Sequence, residues 1–365
     1  MELLNATKMV AGYTMGMKPD GRELLVVVVK GTFAIPSYPD QTPILVEEQL
    51  PLLMADEFTG EPGFSAPTCE ADFAPHKPNC EVLLNGSAYA PYGRPVERVP
   101  VALSVGSLHK SFDVVGNRTW STGLLGVSVE GPEPFETMPI SYDTAFGGTD
   151  DTHPDAQKHA VYAANPVGAG FHQRPNDESI IDRPLPNTEL TDTPVTNPRG
   201  KYQPMSFGPL ARSWPPRLGY AGTYDDQWQE EQFPFLPADF DERYYQSAPE
   251  DQQLEALNGN DLVELTNLTP NGHRQFRLPD IRVPIEFVRR DFESVEEDAR
   301  LDTLLIDTDK QQFSLLWRAV LPLRQNMFEV NMVIAGKMPR GWYRARELGK
   351  TYYSNLNELV LEQNG

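Results

Sequence analysis

RELLVVVVKGTFAI, residues 22–35, is the stretch on which the reading of the fold turns. Leucines and valines follow one another without a break from Leu24 to Val29, directly after the turn signal KPDG. A short, continuous, β-branched run behind such a turn reads as a buried strand. Working outward, CEVLLNGSAYAP (80–91), VERVPVALSVG (96–106), HKSFDVVG (109–116), NRTW (117–120) and LLGVSVEG (124–131) repeat the strand signal, with Gly-rich turns between them. Short strands at this spacing predict a mainly β fold, with antiparallel sheets packed in a sandwich-like scaffold.

The texture changes near residue 132. Half of the 34 prolines fall between Pro132 and Pro249, and hydrophobic periodicity is lost. Proline breaks helix interiors, so a helical bundle is disfavoured. Aromatics stay frequent, as in FGPLARSWPPRLGYAGTYDDQW (207–228), which argues against disorder. The segment reads as a long ordered loop laid over the β scaffold, or as a region of short strands without a sequence signal. One helix is expected at 247–259, with Ser247 as cap, Pro249 near its first turn, Glu250 and Asp251 at its positive end and Gly259 beyond it. Strands return at 261–269, 274–279, 283–290, 300–309, 312–321 and 327–336, with a hairpin turn at Asp309-Lys310; the tail after Arg344 is expected to end in a short helix. Three stretches result: a β region 1–131, an irregular segment 132–259 and C-terminal strands 260–365, the last completing the same compact unit.

The chain has 365 residues, 39% of them hydrophobic, and a formal net charge of −21. That length can bury a sizeable core. A surface this acidic repels phosphate backbones, so neither nucleic acid nor an anionic membrane is an expected partner. No basic region followed by an apolar stretch opens the chain. The run LLVVVV is far short of the roughly 20 residues that span a bilayer. A cytoplasmic location is expected. Cys69 and Cys80 then read as free thiols, and with His76 between them they lack a fourth ligand at zinc-like spacing.

Motifs for nucleophilic or phosphate chemistry do not occur: there is no G-x-S-x-G, no Walker A, no G-x-G-x-x-G after a strand and no H-E-x-x-H. TDDTHPDAQKH (149–159) gathers Asp150, Asp151, His153, Asp155 and His159, which would need to converge to hold a metal and otherwise form a solvated loop. GTYDDQWQEEQFPFLPADFDERYYQSAP (222–249) mixes acids with aromatics. Asp225 or Asp226 with Asp239 or Asp241 would suit a glycosidase only across a sugar-sized gap of about 5–9 Å. Otherwise the aromatics pin the loop and the acids face water. The five tryptophans, Trp120, Trp214, Trp228, Trp317 and Trp342, read first as core or anchor residues, and Arg118 and Arg318 beside two of them invite carboxylate or cation–π pairing.

KGTF (30–33), HKPNCEVLLNGSAYAP (76–91), VGNRTW (115–120), MPISYDTAFGG (138–148), NPVGAGF (165–171), LPNTEL (185–190), FGPLARSWPPRLGYAGTYDDQW (207–228), PFLPADFDERYYQSAPEDQQL (234–254) and LLWRA (315–319) together resemble family 2169 of the domains of unknown function. That bacterial family is found near VgrG spike and PAAR-tip genes of type VI secretion clusters. The chain departs from its pattern at Cys80-Glu81. The resemblance implies a non-catalytic cytoplasmic adaptor or chaperone, without cofactor or metal, that binds a PAAR- or Rhs-linked effector and helps load it onto the VgrG spike. The partner surface is expected within 140–250, at Tyr224, Asp225, Trp228, Trp214 and Arg217. Two other readings stand beside it: a carbohydrate-active enzyme or binding module using 222–249, and a structural tail or baseplate component.

Overall fold

The computed structural model describes residues 1–124, 126–173, 179–291 and 293–352. The 22–35 run forms the strand Glu23–Ala34. It lies within a sheet, between Gln312–Pro322 and Val10–Met17. Leu25, Val27, Val29 and Phe33 enter the main core, while Leu24, Val26 and Val28 face a second cluster with Leu316, Leu52 and Phe73. Both faces are dry, which is why the sequence runs apolar without alternating. Each fully buried aliphatic of this kind contributes roughly 1.5–3 kcal/mol.

The protein is mainly β, in several sheets with a few short helices. The central sheet has the order Thr137–Ile140, Cys80–Tyr89, Arg300–Asp307, Gln312–Pro322, Glu23–Ala34, Val10–Met17. A five-stranded sheet runs Thr188–Glu189, Leu108–Val115, Arg98–Val105, Leu262–Thr266, His273–Arg277. A four-stranded sheet runs Glu2–Asn5, Val330–Ala335, Pro284–Arg289, Ser294–Asp298. One apolar core draws on all three sheets. At its centre Phe33, Phe313 and Phe276 stack with centroids 5.3 and 5.0 Å apart, tying the central sheet to the five-stranded one. The expected hairpin at Asp309 closes between Asp307 and Gln312. Pairing is not uniformly antiparallel: Cys80–Tyr89 runs parallel to Arg300–Asp307, and Glu2–Asn5 parallel to Val330–Ala335. Both pairs join strands far apart in the chain, which sequence periodicity cannot register.

The irregular segment contains two-residue strands, at Phe146–Gly147, Thr149–Asp150, Ala160–Val161, Ala169–Gly170 and Thr188–Glu189. They are too short for any periodic signal. Trp120 is buried beside Phe146, Ile180, Leu185 and Val195 in a cluster of its own. Arg118 donates to Glu189 at 2.8 Å and Arg318 to Asp302 at 2.6 Å, so both arginines beside tryptophans pair with buried carboxylates.

The helix expected at 247–259 does not form. A 3-10 turn, Glu250–Gln252, is followed by the short strand Gln253–Leu254, which pairs with Cys80-Glu81. The side chain of Gln252 is buried: its Nε2 donates to the carbonyls of Val82 and Phe207, and its Oε1 accepts from Lys110. Ser247 Oγ donates to Glu81 at 3.1 Å and makes no cap. These buried tertiary bonds outweigh a good local capping pattern. In the tail, Arg340–Glu347 is helical; the expected terminal helix falls on residues 353–365, outside the described ones. Among the described residues no helix is long and apolar enough to cross a membrane.

Candidate partner-binding surface

Glu81 ties the irregular segment to the central sheet. It sits fully buried on Cys80–Tyr89. Its carboxylate accepts from Gln246 Nε2 at 3.0 Å, Ser247 Oγ at 3.1 Å and the Ala248 amide at 3.1 Å, as well as from the Ser247 amide and Lys77. Burial alone would push this carboxyl up; the Lys77 ammonium and the amide donors outweigh it and hold it below the ordinary carboxylate value. The position stood out in the sequence only as a departure from the family pattern, and no local signal marks its role.

Arg217 anchors a second point. It lies within the short helix Pro215–Leu218 and is buried. Its guanidinium donates to Glu70 Oε1 and to the carbonyls of Leu210 and Tyr244, each at 2.7 Å. Trp214 is buried edge-on against Tyr142 at 5.5 Å. Of the five residues expected at a partner surface, Trp214 and Arg217 therefore face inward and support the loop. Tyr224, Asp225 and Trp228 stand together on its outer side.

That outer side is built around the helix Asp226–Glu231. Asp225 caps it, accepting the Trp228 amide at 2.9 Å. Trp228 Nε1 donates to the Phe235 carbonyl at 3.0 Å, which folds the chain after the helix back over it. Tyr224 and Phe233 flank the indole edge-to-face, at 4.7 and 5.7 Å. Tyr224, Phe233 and Phe235 are 54, 66 and 46% exposed, a concentration of aromatic surface that solvent-facing loops rarely keep. Phe235 also packs on the turn before Glu23–Ala34: a Cβ on Gly21 would lie 2.7 Å from its ring. Gly222, with φ +82°, lets the chain pass Pro237 and Asp239, where a Cβ would meet Pro237 at 2.8 Å.

The acids of the stretch divide into two kinds. Asp239 accepts from the Thr223 amide at 2.9 Å and its hydroxyl at 2.7 Å, which holds it below the ordinary value. Asp241 caps the turn Glu242–Tyr245 and pairs with Arg243, with the same effect. Arg243 in turn lies 4.3 Å over the Tyr220 ring. These carboxylates are fastened to neighbouring main chain and arginine. Asp226, Glu230 and Glu231 are exposed around the aromatic cluster, and no Lys or Arg occurs between Arg217 and Arg243.

The other candidate groups lie elsewhere. Asp151 pairs with Arg183, Asp150 lies 3.5 Å from His172, and Asp155 caps the turn Ala156–Lys158. Among the described residues no group of three or more His, Cys, Asp or Glu side chains could hold a metal ion. His76 meets Glu242 at 2.8 Å. Cys69 and Cys80 are free thiols; burial pushes Cys69 up to about 11. Cys69 lines a cleft of about 730 Å³ with Leu50, Pro67, Tyr142 and Phe313, separate from the aromatic cluster.

Residues 20–318 match the model of an uncharacterized protein family conserved in bacteria, DUF2169. The chain belongs to this family. No curated protein and no solved structure matches it. The DUF2169 match takes in the Glu81 and Arg217 anchors and the whole aromatic cluster, and begins after Val10–Met17.

Proposed function

We propose that the protein is a non-catalytic adaptor or chaperone that binds a type VI secretion effector, PAAR- or Rhs-linked, and helps load it onto the VgrG spike. The observation that carries this reading is the cluster of exposed Tyr224, Phe233 and Phe235 around the half-buried Trp228. Its helix is capped, and the irregular loop behind it is anchored through buried Glu81 and Arg217. Rigid aromatics in a polar rim are the groups that dominate protein–protein binding energy. Asp226, Glu230 and Glu231 are exposed beside it and no Lys or Arg occurs between Arg217 and Arg243, which fits a basic segment on the effector. The nine segments that resemble the type VI-associated family add the biological setting.

The carbohydrate reading has less support. Asp225, Asp239 and Asp241 are committed to amide and arginine partners, which leaves no poised acid and base among them. A tail or baseplate role has no specific observation in its favour. Co-purification of the tagged protein with type VI effectors and VgrG proteins of the same cell tests the proposal. A stable complex, and loss of effector secretion on deletion, are the expected results. An effector that is stable and secreted without this protein would overturn it.

A further inference from the structure

Among the described residues the central sheet ends on one side at Val10–Met17, which pairs only with Glu23–Ala34. Which of its backbone groups point outward follows from the neighbouring strand. Thr32 and Ala34 bond with residues 44–46 along that same side of Glu23–Ala34. By alternation Leu24, Val26, Val28 and Lys30 bond with Gly16, Thr14, Gly12 and Val10. The N–H and C=O groups of Ala11, Tyr13, Met15 and Met17 therefore point away from the sheet. Met9 confirms the parity: its outward N–H and C=O are taken by the side chains of Thr7 and Asn5. Among the described residues no such partner meets Ala11, Tyr13, Met15 or Met17.

Sheet edges left open in this way are normally guarded by charge or proline. Other edges here follow that rule. Ser294–Asp298 carries three acids, His273–Arg277 carries His273, Arg274 and Arg277, and Thr137–Ile140 contains Pro139. Val10–Met17, eight residues reading VAGYTMGM, has no charge and no proline.

We propose that this edge is an interface with a second copy of the chain, two Val10–Met17 strands pairing antiparallel about a two-fold axis. Identical strands bring like against like across such an axis. The acidic and basic edges would each meet their own sign; the uncharged edge meets no repulsion along its length. Pairing satisfies the outward groups of Ala11, Tyr13 and Met15 reciprocally and joins the two central sheets into one. Because each copy carries a net charge of −21, the rest of the molecule opposes approach. Self-association therefore strengthens as salt screens that charge.

Sedimentation of the full chain up to about 100 µM, in salt from about 0.05 to 0.5 M, reads the equilibrium. A monomer–dimer equilibrium shifted toward dimer by salt is expected, with slowed hydrogen exchange at Ala11, Tyr13 and Met15 in the dimer. Tyr13→Pro removes an outward N–H and leaves the inner ladder intact, so it should weaken dimerisation by about tenfold or more. Tyr13→Lys, which keeps the backbone donor and adds a guarding charge, should weaken it also. A monomer under every condition, or a dimer whose exchange at residues 11–17 is unchanged, overturns the proposal.

Discussion

Glu81 places a carboxylate where water does not reach, with a lysine and donors from three consecutive residues, Gln246 to Ala248, around it. Removing one partner of a buried pair leaves the other charge uncompensated, so Glu81→Ala should cost about 3–5 kcal/mol in urea unfolding. The carboxyl is held below its ordinary value of 4.5, so its contribution is complete above that pH and is lost as pH falls through the folded-state value. Glu81→Gln carries no such titration: between about pH 5 and pH 3 its stability should fall less steeply than that of the wild type. None of this was legible in the sequence. A glutamate at the start of an apolar strand looks like a solvated end, and apart from Lys77 its donors lie 165–167 positions away. The tryptophans and the two neighbouring arginines were easier, because a large ring or a guanidinium has few ways to be buried without a partner.

Strands and loops obey different arithmetic. Glu23–Ala34 was readable because six successive apolar residues can be dry on both faces in few other ways. The helix expected at 247–259 was misread for the opposite reason: good caps were present, but Gln252 and Ser247 gained more from buried partners than from a helical turn. In the aromatic loop the element is fixed by Gly222, whose φ of +82° and contact with Pro237 exclude a side chain. Gly222→Ala should destabilise this loop by roughly 1–3 kcal/mol. Hydrogen exchange at Thr223 and Trp228 should rise, while the central sheet keeps its protection. Equal loss in both places would mean that the loop is not a separate unit of stability.

At the scale of the whole molecule, a mainly β scaffold with a proline-rich overlay was legible from composition and turn spacing. Sheet order was not, because parallel partners such as Cys80–Tyr89 and Arg300–Asp307 are separated by most of the chain. Of the expected partner residues, sequence could group Trp214 and Arg217 with Tyr224, Asp225 and Trp228; only the fold shows that the first two are supports. The net charge of −21 makes a prediction with two signs. Association with a basic effector should slow as salt rises, whereas self-association should strengthen. If effector docks on the aromatic cluster, titration calorimetry of the purified effector against wild type and Trp228→Ala will show it. The variant should keep the wild-type circular dichroism and lose binding by about 30-fold or more, the loss of a hot-spot side chain. A folded Trp228→Ala protein that binds the effector as tightly as the wild type would contradict it.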